Sequence, residues 1–138
     1  MKKIWSKKFA CAIMSVIMLL GVLPTANATD IMPIYERVSS ATCSFTISSA
    51  GKAEAFVSVT AERTDTVRGT IEIKRFVSGE WVTVASWTET STRSLRDTYT
   101  RYVLSGYSYK LFATVDIYTS DGVYCETVYL ESNQVLYY

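Results

Sequence analysis

Hydrophobic and polar residues alternate along most of the chain beyond residue 40. The first alternating run carries its apolar residues at Ala41, Cys43, Phe45 and Ile47. A second run, from Ala53 to Ala61, follows a short turn at residues 49–51. Because successive side chains of a strand point to opposite faces, each run predicts a β-strand with one apolar and one polar face.

The same alternation predicts five more strands. The third surrounds Ile71 and Ile73 and ends at a hairpin turn at residues 78–80. The remaining strands are Trp81 to about Thr90, Leu95 to Leu104, Tyr107 to Ile117 and Val123 to Leu130. The connections between them are, in order, a polar loop at residues 90–94, a turn at 105–106 and a hairpin at Asp121–Gly122. The sixth strand has the longest apolar stripe and is expected to be central. Residues 135–138 would extend the sheet edge.

The fourth segment interrupts the alternation, because Val82 and Val84 have one parity while Trp81 and Trp87 have the other. A β-bulge inserts one extra residue into a strand and would let both parities contribute to the core. We expect the bulge near residues 85–86, where it would bring Val82, Val84 and Trp87 to the core together.

The fold class follows from these segments. Valine, isoleucine, threonine, tyrosine and phenylalanine dominate them, and no segment beyond residue 40 shows a sustained 3.6-residue periodicity. About seven closely spaced strands predict an all-β fold, an antiparallel two-sheet sandwich. A small closed barrel is the alternative that the pattern leaves open.

The first 28 residues have the pattern of a secretory signal peptide. Four lysines among the first eight residues precede an almost uncharged apolar stretch, and small residues at 26–28 end it. Gly21 and Pro24 interrupt this stretch, which is shorter than the about 20 apolar residues of a membrane-spanning helix. We expect cleavage after Ala28 and a secreted, extracellular protein with no membrane segment. An uncleaved anchor is the alternative.

Cleavage there divides the chain into a signal peptide at residues 1–28, a leader segment at 29–38 and one β-sandwich domain at 39–138. The whole chain has 14 lysines and arginines against 13 aspartates and glutamates, but four lysines leave with the signal peptide. The remaining 110 residues carry a formal net charge of −3. A mildly acidic surface offers no basic stripe for phosphate backbones, so nucleic acid is not an expected partner.

Cys43 and Cys125 are the cysteines that remain after the signal peptide, and exported proteins meet oxidising conditions. We expect a disulfide between them, closing a loop of about 80 residues to which chain-entropy arguments assign about 4 kcal/mol. Two free thiols that act as small hydrophobes are the alternative. A redox-active pair is not expected, because neither cysteine belongs to a closely spaced motif.

The composition provides little catalytic chemistry. The chain contains no histidine, which removes the commonest general base and the usual zinc ligand. Asp116, Asp121 and Glu126 are carboxylates that lie close together across one predicted hairpin, and we interpret them as a turn and a solvated face. No catalytic residue, metal site or cofactor is assigned, and the protein is not expected to be an enzyme.

Aromatic residues are in excess, with ten tyrosines, five phenylalanines and three tryptophans. Phe56, Phe112, Tyr118 and Tyr124 are predicted to face away from the core, the last three on neighbouring strands. Planar rings on a sheet can stack on sugars or anchor a protein partner, so Phe112, Tyr118 and Tyr124 form the candidate binding face. The alternative is that they are ordinary strand residues, since tyrosine favours strands.

Three arginines form a local basic cluster. Arg93, Arg96 and Arg101 lie around Asp97. This pattern indicates cross-strand ion pairing or a charged edge that discourages edge-to-edge strand pairing. The sequence therefore assigns these arginines a structural role.

The segment Gly106–Leu111, followed by an alternating run and Asp121–Gly122, resembles the penultimate strand of immunoglobulin-like and fibronectin type III-like sandwiches. In those families a tyrosine near the start of that strand hydrogen-bonds back across the corner, and Tyr107 or Tyr109 matches this position. Residues 71–87, 106–111 and 126–130 also resemble small exported bacterial sandwich proteins that carry no assigned function. The resemblance covers most of residues 39–131 and implies an immunoglobulin-like architecture but no activity.

Export, small size and the lack of an active-site constellation favour a non-catalytic role. We expect a protein that binds an extracellular protein or a cell-envelope polysaccharide, or that is a structural part of the cell exterior. A secreted antibacterial or toxin-like antagonist is the second hypothesis. Growth inhibition of other bacteria by the purified protein would distinguish the two.

Overall fold

A computed structural model describes residues 35–138, so the predicted signal peptide and most of the predicted leader lie outside the described residues. The described part contains eight strands and no helix. The strands are β1 (Val38–Ile47), β2 (Lys52–Ala61), β3 (Thr66–Val77), β4 (Glu80–Thr92), β5 (Ser94–Tyr102), β6 (Tyr107–Tyr118), β7 (Tyr124–Glu131) and β8 (Val135–Tyr137). The all-β class predicted from the alternation is confirmed.

The strands form two antiparallel sheets. The small sheet has the order β1-β2-β5, and the large sheet has the order β4-β3-β6-β7, with β8 also paired to β6. Buried residues from both sheets form one core, so the fold is a two-sheet sandwich and not a closed barrel. In immunoglobulin domains strands A, B and E share one sheet while C, F and G share the other. The first, second and fifth strands here are grouped in that way, as are the third, sixth and seventh.

Alternation along the central strands builds the core. Val57 and Val59 of β2 face Ile71 of β3 and Leu111 and Val115 of β6 across the sandwich, and all five are fully buried. Burial of one such side chain contributes about 1.5 to 3 kcal/mol. As predicted from its long apolar stripe, β6 is central, since it pairs with β3 on one side and with β7 on the other.

The fourth strand contains the predicted bulge, one residue earlier than expected. Ile73 pairs with Ala85 and Lys74 pairs with Thr83, which leaves Val84 as the extra residue. Val84 and Trp87 pack against the core, as predicted. The prediction for Val82 was wrong, because this residue lies near the open end of the sandwich and is 44% exposed.

The polar loop predicted at residues 90–94 is absent, because β4 continues to Thr92 and β5 begins at Ser94. Arg93 alone makes the connection and has a φ of 67°, in the left-handed region. This bend carries the chain from the large sheet to the small sheet. The Arg93 N–H donates to the Asp65 carbonyl at 2.7 Å, and the Arg93 carbonyl accepts from the Ala61 N–H at 2.7 Å.

The corner before β6 is closed by a buried tyrosine. Tyr109 is 1% exposed, and its hydroxyl donates to the carbonyl oxygen of Leu104 at 2.6 Å. Of the two tyrosines expected to make this contact, Tyr109 is therefore the one that does. The hydrogen bond holds the segment between β5 and β6 against the end of the sandwich.

Candidate binding face

The outer face of the large sheet carries a group of aromatic side chains. Strand pairing places Phe76, Trp81, Phe112, Tyr118, Tyr124 and Tyr129 on this face. Phe112 illustrates the cause, because it lies between Leu111 and Ala113, whose side chains are buried on the inner face. The small sheet covers the inner face, whereas these six rings lie on the uncovered side of the described domain. We call these six residues the aromatic stripe.

Three rings of the stripe form a cluster with two lysines at one end of the sheet. The ring centroids of Phe76 and Trp81 are 5.2 Å apart, and those of Trp81 and Phe112 are 5.9 Å apart. Lys74 Nζ lies 4.8 Å from the Phe112 centroid, and Lys110 Nζ lies 5.4 Å from the Trp81 centroid. These separations allow aromatic and cation–π attraction, which hold the rings in fixed orientations.

Each lysine of this cluster also has a carboxylate partner. Lys74 Nζ lies 3.2 Å from Glu72 Oε2, and Lys110 Nζ bonds to Glu131 Oε1. Both pairs are partly exposed, so they contribute little to the free energy of folding. Their main consequence is that the cluster presents apolar ring surface between neutralised charges.

Tyr118 and Tyr124 form a second ring pair further along the same face. Their centroids are 5.9 Å apart. Thr127 Oγ1 donates to Asp116 Oδ1 at 2.7 Å, so the 2.7 Å hydrogen bond between the Tyr124 and Thr127 hydroxyls has tyrosine as its donor. This hydrogen-bond chain orients the Tyr124 ring while 56% of the residue stays exposed.

Phe112, Tyr118 and Tyr124, the candidate binding face of the sequence, lie on one face of the sheet. They do not form one contact cluster. Phe112 is six residues from Tyr118 along β6, which corresponds to about 20 Å in an extended strand. Tyr129, which is 72% exposed, lies between these two positions, because it pairs with Thr114. It is diagonal to Phe112 across the two strands, a separation of about 7 to 8 Å between Cα atoms. The stripe is therefore a line of rings along the sheet.

Phe76, Trp81 and Tyr129 also belong to this face but were not predicted from the sequence. Two one-residue bulges explain why Trp81 and Tyr129 were missed. Val84 is the extra residue that separates the faces of Trp81 and Trp87, and Cys125 is the extra residue that puts Tyr124 and Tyr129 on the same face despite their odd spacing. Phe76 could have been found, because simple alternation with Glu72 and Lys74 already places it on the polar face.

The predicted disulfide between Cys43 and Cys125 is not formed, and both are free cysteines. Cys43 of β1 packs against the core, and the charge of Glu131 acts on its thiol pKa. Cys125 lies in the β7 bulge, near Arg37. Cys43 belongs to the small sheet and Cys125 to the large sheet, on strands that do not pair with each other.

Cys43 nevertheless has a perturbed thiol. Burial raises the pKa of the Cys43 thiol, and the nearby Glu131 carboxylate raises this pKa further. Both effects disfavour the thiolate, which is the reactive form of cysteine. The structure therefore gives Cys43 the character of a small packed hydrophobe, which was the alternative left open by the sequence.

The carboxylates singled out in the sequence are separated by their structural contacts. Asp121 is exposed in the turn between β6 and β7, and Asp116 accepts the hydrogen bond from Thr127. Glu126 accepts the backbone N–H groups of Glu36 and Arg37, at 3.2 and 2.9 Å, and so ties the start of β1 to β7. They do not face one common cleft as a catalytic pair would.

An ion pair with a buried carboxylate, which the sequence did not suggest, joins Arg37 to Asp65. Arg37 donates through Nε and Nη2 to the two carboxylate oxygens of Asp65, at 2.8 and 2.7 Å. Asp65 is 3% exposed. The hydrogen bonds from Arg37 hold the pKa of the Asp65 carboxyl below its ordinary value.

A tyrosine and a glutamate join the two sheets along the β4–β5 side. Tyr99 of β5 stacks near Trp87 of β4 with centroids 5.3 Å apart, and its hydroxyl donates to Glu89. Burial and this carboxylate raise the pKa of the Tyr99 hydroxyl. The hydroxyl is therefore a neutral donor, and the pair acts as a structural contact between edge strands.

The arginine cluster predicted around Asp97 does not form ion pairs within residues 35–138. Arg93 makes the sheet crossing, and Arg96 lies over the Phe56 ring at 5.6 Å from its centroid. Asp97 accepts the N–H of Thr98 at 2.7 Å. Arg101 instead lines a cavity of about 170 Å³ at the end of the sandwich.

Residues 35–138 contain no helix that could span a bilayer and no group of three or more metal-ligating side chains. Comparison with protein-family models finds no matching family, and comparison with curated proteins finds no relative. The two-sheet sandwich therefore rests on the strand order of residues 35–138.

Proposed function

We propose that the protein is a secreted, non-catalytic binding protein of the cell exterior that holds an extended cell-envelope polysaccharide along the aromatic stripe. The observation that carries this proposal is the line of rings on the outer face of the large sheet, from Trp81 through Phe112 and Tyr129 to Tyr124. Sugar rings have apolar C–H faces that stack on aromatic rings. A linear polymer could contact successive rings of such a line.

The surroundings of the rings favour a neutral, hydroxyl-rich ligand. Lys74 and Lys110 are paired with carboxylates, so the face carries no strong net charge near the rings. Threonines lie between the rings, with Thr70 paired to Thr114 and Thr114 paired to Tyr129 in one row across the sheet. Their hydroxyls can donate to and accept from sugar hydroxyls.

The signal-peptide pattern supports an extracellular site for this binding. If residues 1–28 are removed on export, the N-terminal sequence of the protein recovered from the culture medium begins at Thr29. A protein retained in cells with Met1 intact would contradict this part of the proposal. Binding to the envelope is tested separately, because it depends on the aromatic stripe alone.

The binding test is retention of purified protein on insoluble peptidoglycan and other envelope polysaccharides. We expect retention that persists in high salt, because ring stacking is not screened as charge attraction is. The paired substitutions Tyr124→Ser and Tyr129→Ser should weaken binding by about tenfold, since each removes one stacking ring. Both residues are largely exposed, so the folded domain should be preserved.

Tyr102→Ser is the matched control, because Tyr102 is 70% exposed but belongs to the small sheet. Its retention should equal that of the unmodified protein. Equal loss in the control and in the stripe variant would contradict the proposal. Lack of retention by the unmodified protein would also overturn it and would favour a protein partner or the antagonist hypothesis.

A further inference from the structure

We infer that the cavity at the end of the sandwich is a binding site for a carboxylate carried on a small apolar group. The cavity lies away from the aromatic stripe, and the inference does not depend on the proposed function. It has two arginines, Arg75 and Arg101, and apolar walls from Val84, Val103 and Leu104. The arginines favour an anionic group in the ligand, and the apolar walls favour an apolar group beside it.

Arg75 is an arginine on the core side of a strand. It has the same parity in β3 as the buried Ile71 and Ile73, and its Nε atom is buried with no hydrogen-bond partner within residues 35–138. A buried donor without a partner is unfavourable, and the cost is greater for a charged group. The fold therefore keeps a costly charged group beside the cavity, and an anion bound there would offset its charge.

The orientation of Arg75 is set by an aromatic ring. Its guanidinium carbon lies 4.4 Å from the Tyr107 centroid, which places the cation over the ring. An arginine held in this way keeps its Nη N–H groups available, because they lie in the guanidinium plane and not on its face. A carboxylate matches such a planar fork with two parallel hydrogen bonds.

Arg101 supplies a second guanidinium to the same cavity. It has the same parity in β5 as the buried Leu95 and Tyr99, but it lies beyond the covered part of the core and is exposed. Neither Arg75 nor Arg101 forms a salt bridge within the described residues. Two unpaired guanidiniums beside one cavity favour an anion there.

The walls and size of the cavity select the rest of the ligand. Leu104 is 66% exposed at the rim of the cavity. Its backbone is held in place because its carbonyl oxygen accepts the hydrogen bond from the Tyr109 hydroxyl. The volume of about 170 Å³ is well below the roughly 300 to 1,000 Å³ typical of sites for drug-sized ligands. A branched aliphatic acid or the C-terminal residue of a peptide combines a carboxylate with an apolar group of suitable size. Inorganic phosphate would leave the apolar walls unused.

The test is a titration of the purified protein with N-acetyl-leucine, followed by NMR shifts of the backbone amides. We expect saturable shifts at residues 103–104, and much weaker binding of N-acetyl-leucine amide, which lacks the carboxylate. Arg101→Gln should weaken N-acetyl-leucine binding by at least about tenfold, the loss expected for hydrogen bonds to a charged group. Arg75→Gln should have the same effect.

Matched controls lie on the same strands. Arg68→Gln in β3 and Arg96→Gln in β5 remove one charge each from the opposite faces of those strands and should change the affinity less than about twofold. Because Arg101 is exposed, its variant should fold even if Arg75→Gln does not. Equal affinity of the acid and the amide, unchanged affinity in Arg101→Gln, or equal binding of inorganic phosphate would each overturn the inference.

A second titration with isovalerate distinguishes the two sources of the ligand. Isovalerate has the same branched chain and carboxylate but lacks the amide of N-acetyl-leucine. Tighter binding of N-acetyl-leucine would identify a peptide C terminus, and tighter binding of isovalerate would identify a free short-chain acid. Both results support a carboxylate site, whereas binding of neither compound would overturn it.

Discussion

Leu95 of the small sheet packs directly over Gly69 of the large sheet. A Cβ atom added at Gly69 would lie 2.7 Å from Leu95 Cδ1 and 3.2 Å from Ile71 Cδ1. Gly69 and Leu95 are both buried, and Leu95 is the second residue of β5, two residues after the crossing at Arg93. The leucine thus occupies the space that a side chain in β3 would fill, and it fixes the two sheets close together where the chain passes between them.

We expect Gly69→Ala to lower the free energy of unfolding by about 1 to 2 kcal/mol, because overpacking forces Leu95 from its position. Equilibrium urea denaturation measures this change. The clash is with the end of a side chain and not with backbone, so the domain should still fold.

Leu95→Ala provides the control for this packing. Alone it should be destabilising by about 2 to 5 kcal/mol, because it leaves a cavity over Gly69. In the Leu95→Ala background, Gly69→Ala should be neutral or stabilising, since the added methyl group fills that cavity. Additive effects of the two substitutions would show that the two residues do not share this space.

The Arg37–Asp65 pair should make stability depend on acid pH. Because Arg37 lowers the pKa of the Asp65 carboxyl in the folded state, the unfolded chain binds more protons near the ordinary carboxyl pKa of about 3.9. The pair therefore contributes its full stability above that pH and loses it as the pH falls through the lower folded-state pKa. Thermal midpoints measured from pH 7 to pH 2 test this.

Asp65→Asn should lower the thermal midpoint at pH 7 by about 5 to 10 °C, since it removes an ion pair whose carboxylate is buried. It should also flatten the decline of the midpoint below about pH 4. Asp121→Asn removes the same charge from an exposed turn and should leave the profile unchanged. A profile for Asp65→Asn that falls as steeply as that of the unmodified protein would assign the acid sensitivity to other groups.

Much of the fold could be predicted because alternation is a local signal. The runs at residues 41–47 and 53–61 became β1 and β2, and the long run that starts at Tyr107 became the central β6. The hairpin at Asp121–Gly122 also formed, with Gly122 N–H donating to Thr119 O at 2.9 Å. Each of these features depends on residues close together in the chain.

The features that were missed depend on register or on distant partners. A single extra residue at Val84 or Cys125 reverses the faces of all residues beyond it, so Tyr129 could not be placed by parity alone. Asp65 was not singled out in the sequence, because its partner Arg37 is 28 residues away. Arg75 did leave a signal, since alternation puts this arginine on the core face with Ile71 and Ile73.

The two cysteines should behave as independent free thiols in the folded protein. Since Cys43 of β1 and Cys125 of β7 are both free, a reductant should leave the thermal midpoint unchanged, and the intact mass should be that of the dithiol. Iodoacetamide should modify Cys125 faster than Cys43, because Cys43 packs against the core and burial raises its thiol pKa. Raising the pH toward that pKa should increase the Cys43 rate by increasing its thiolate fraction. The variants Cys43→Ser and Cys125→Ser assign the two rates. A mass about 2 Da below the dithiol value would contradict this prediction, because it would show that the two cysteines form a disulfide.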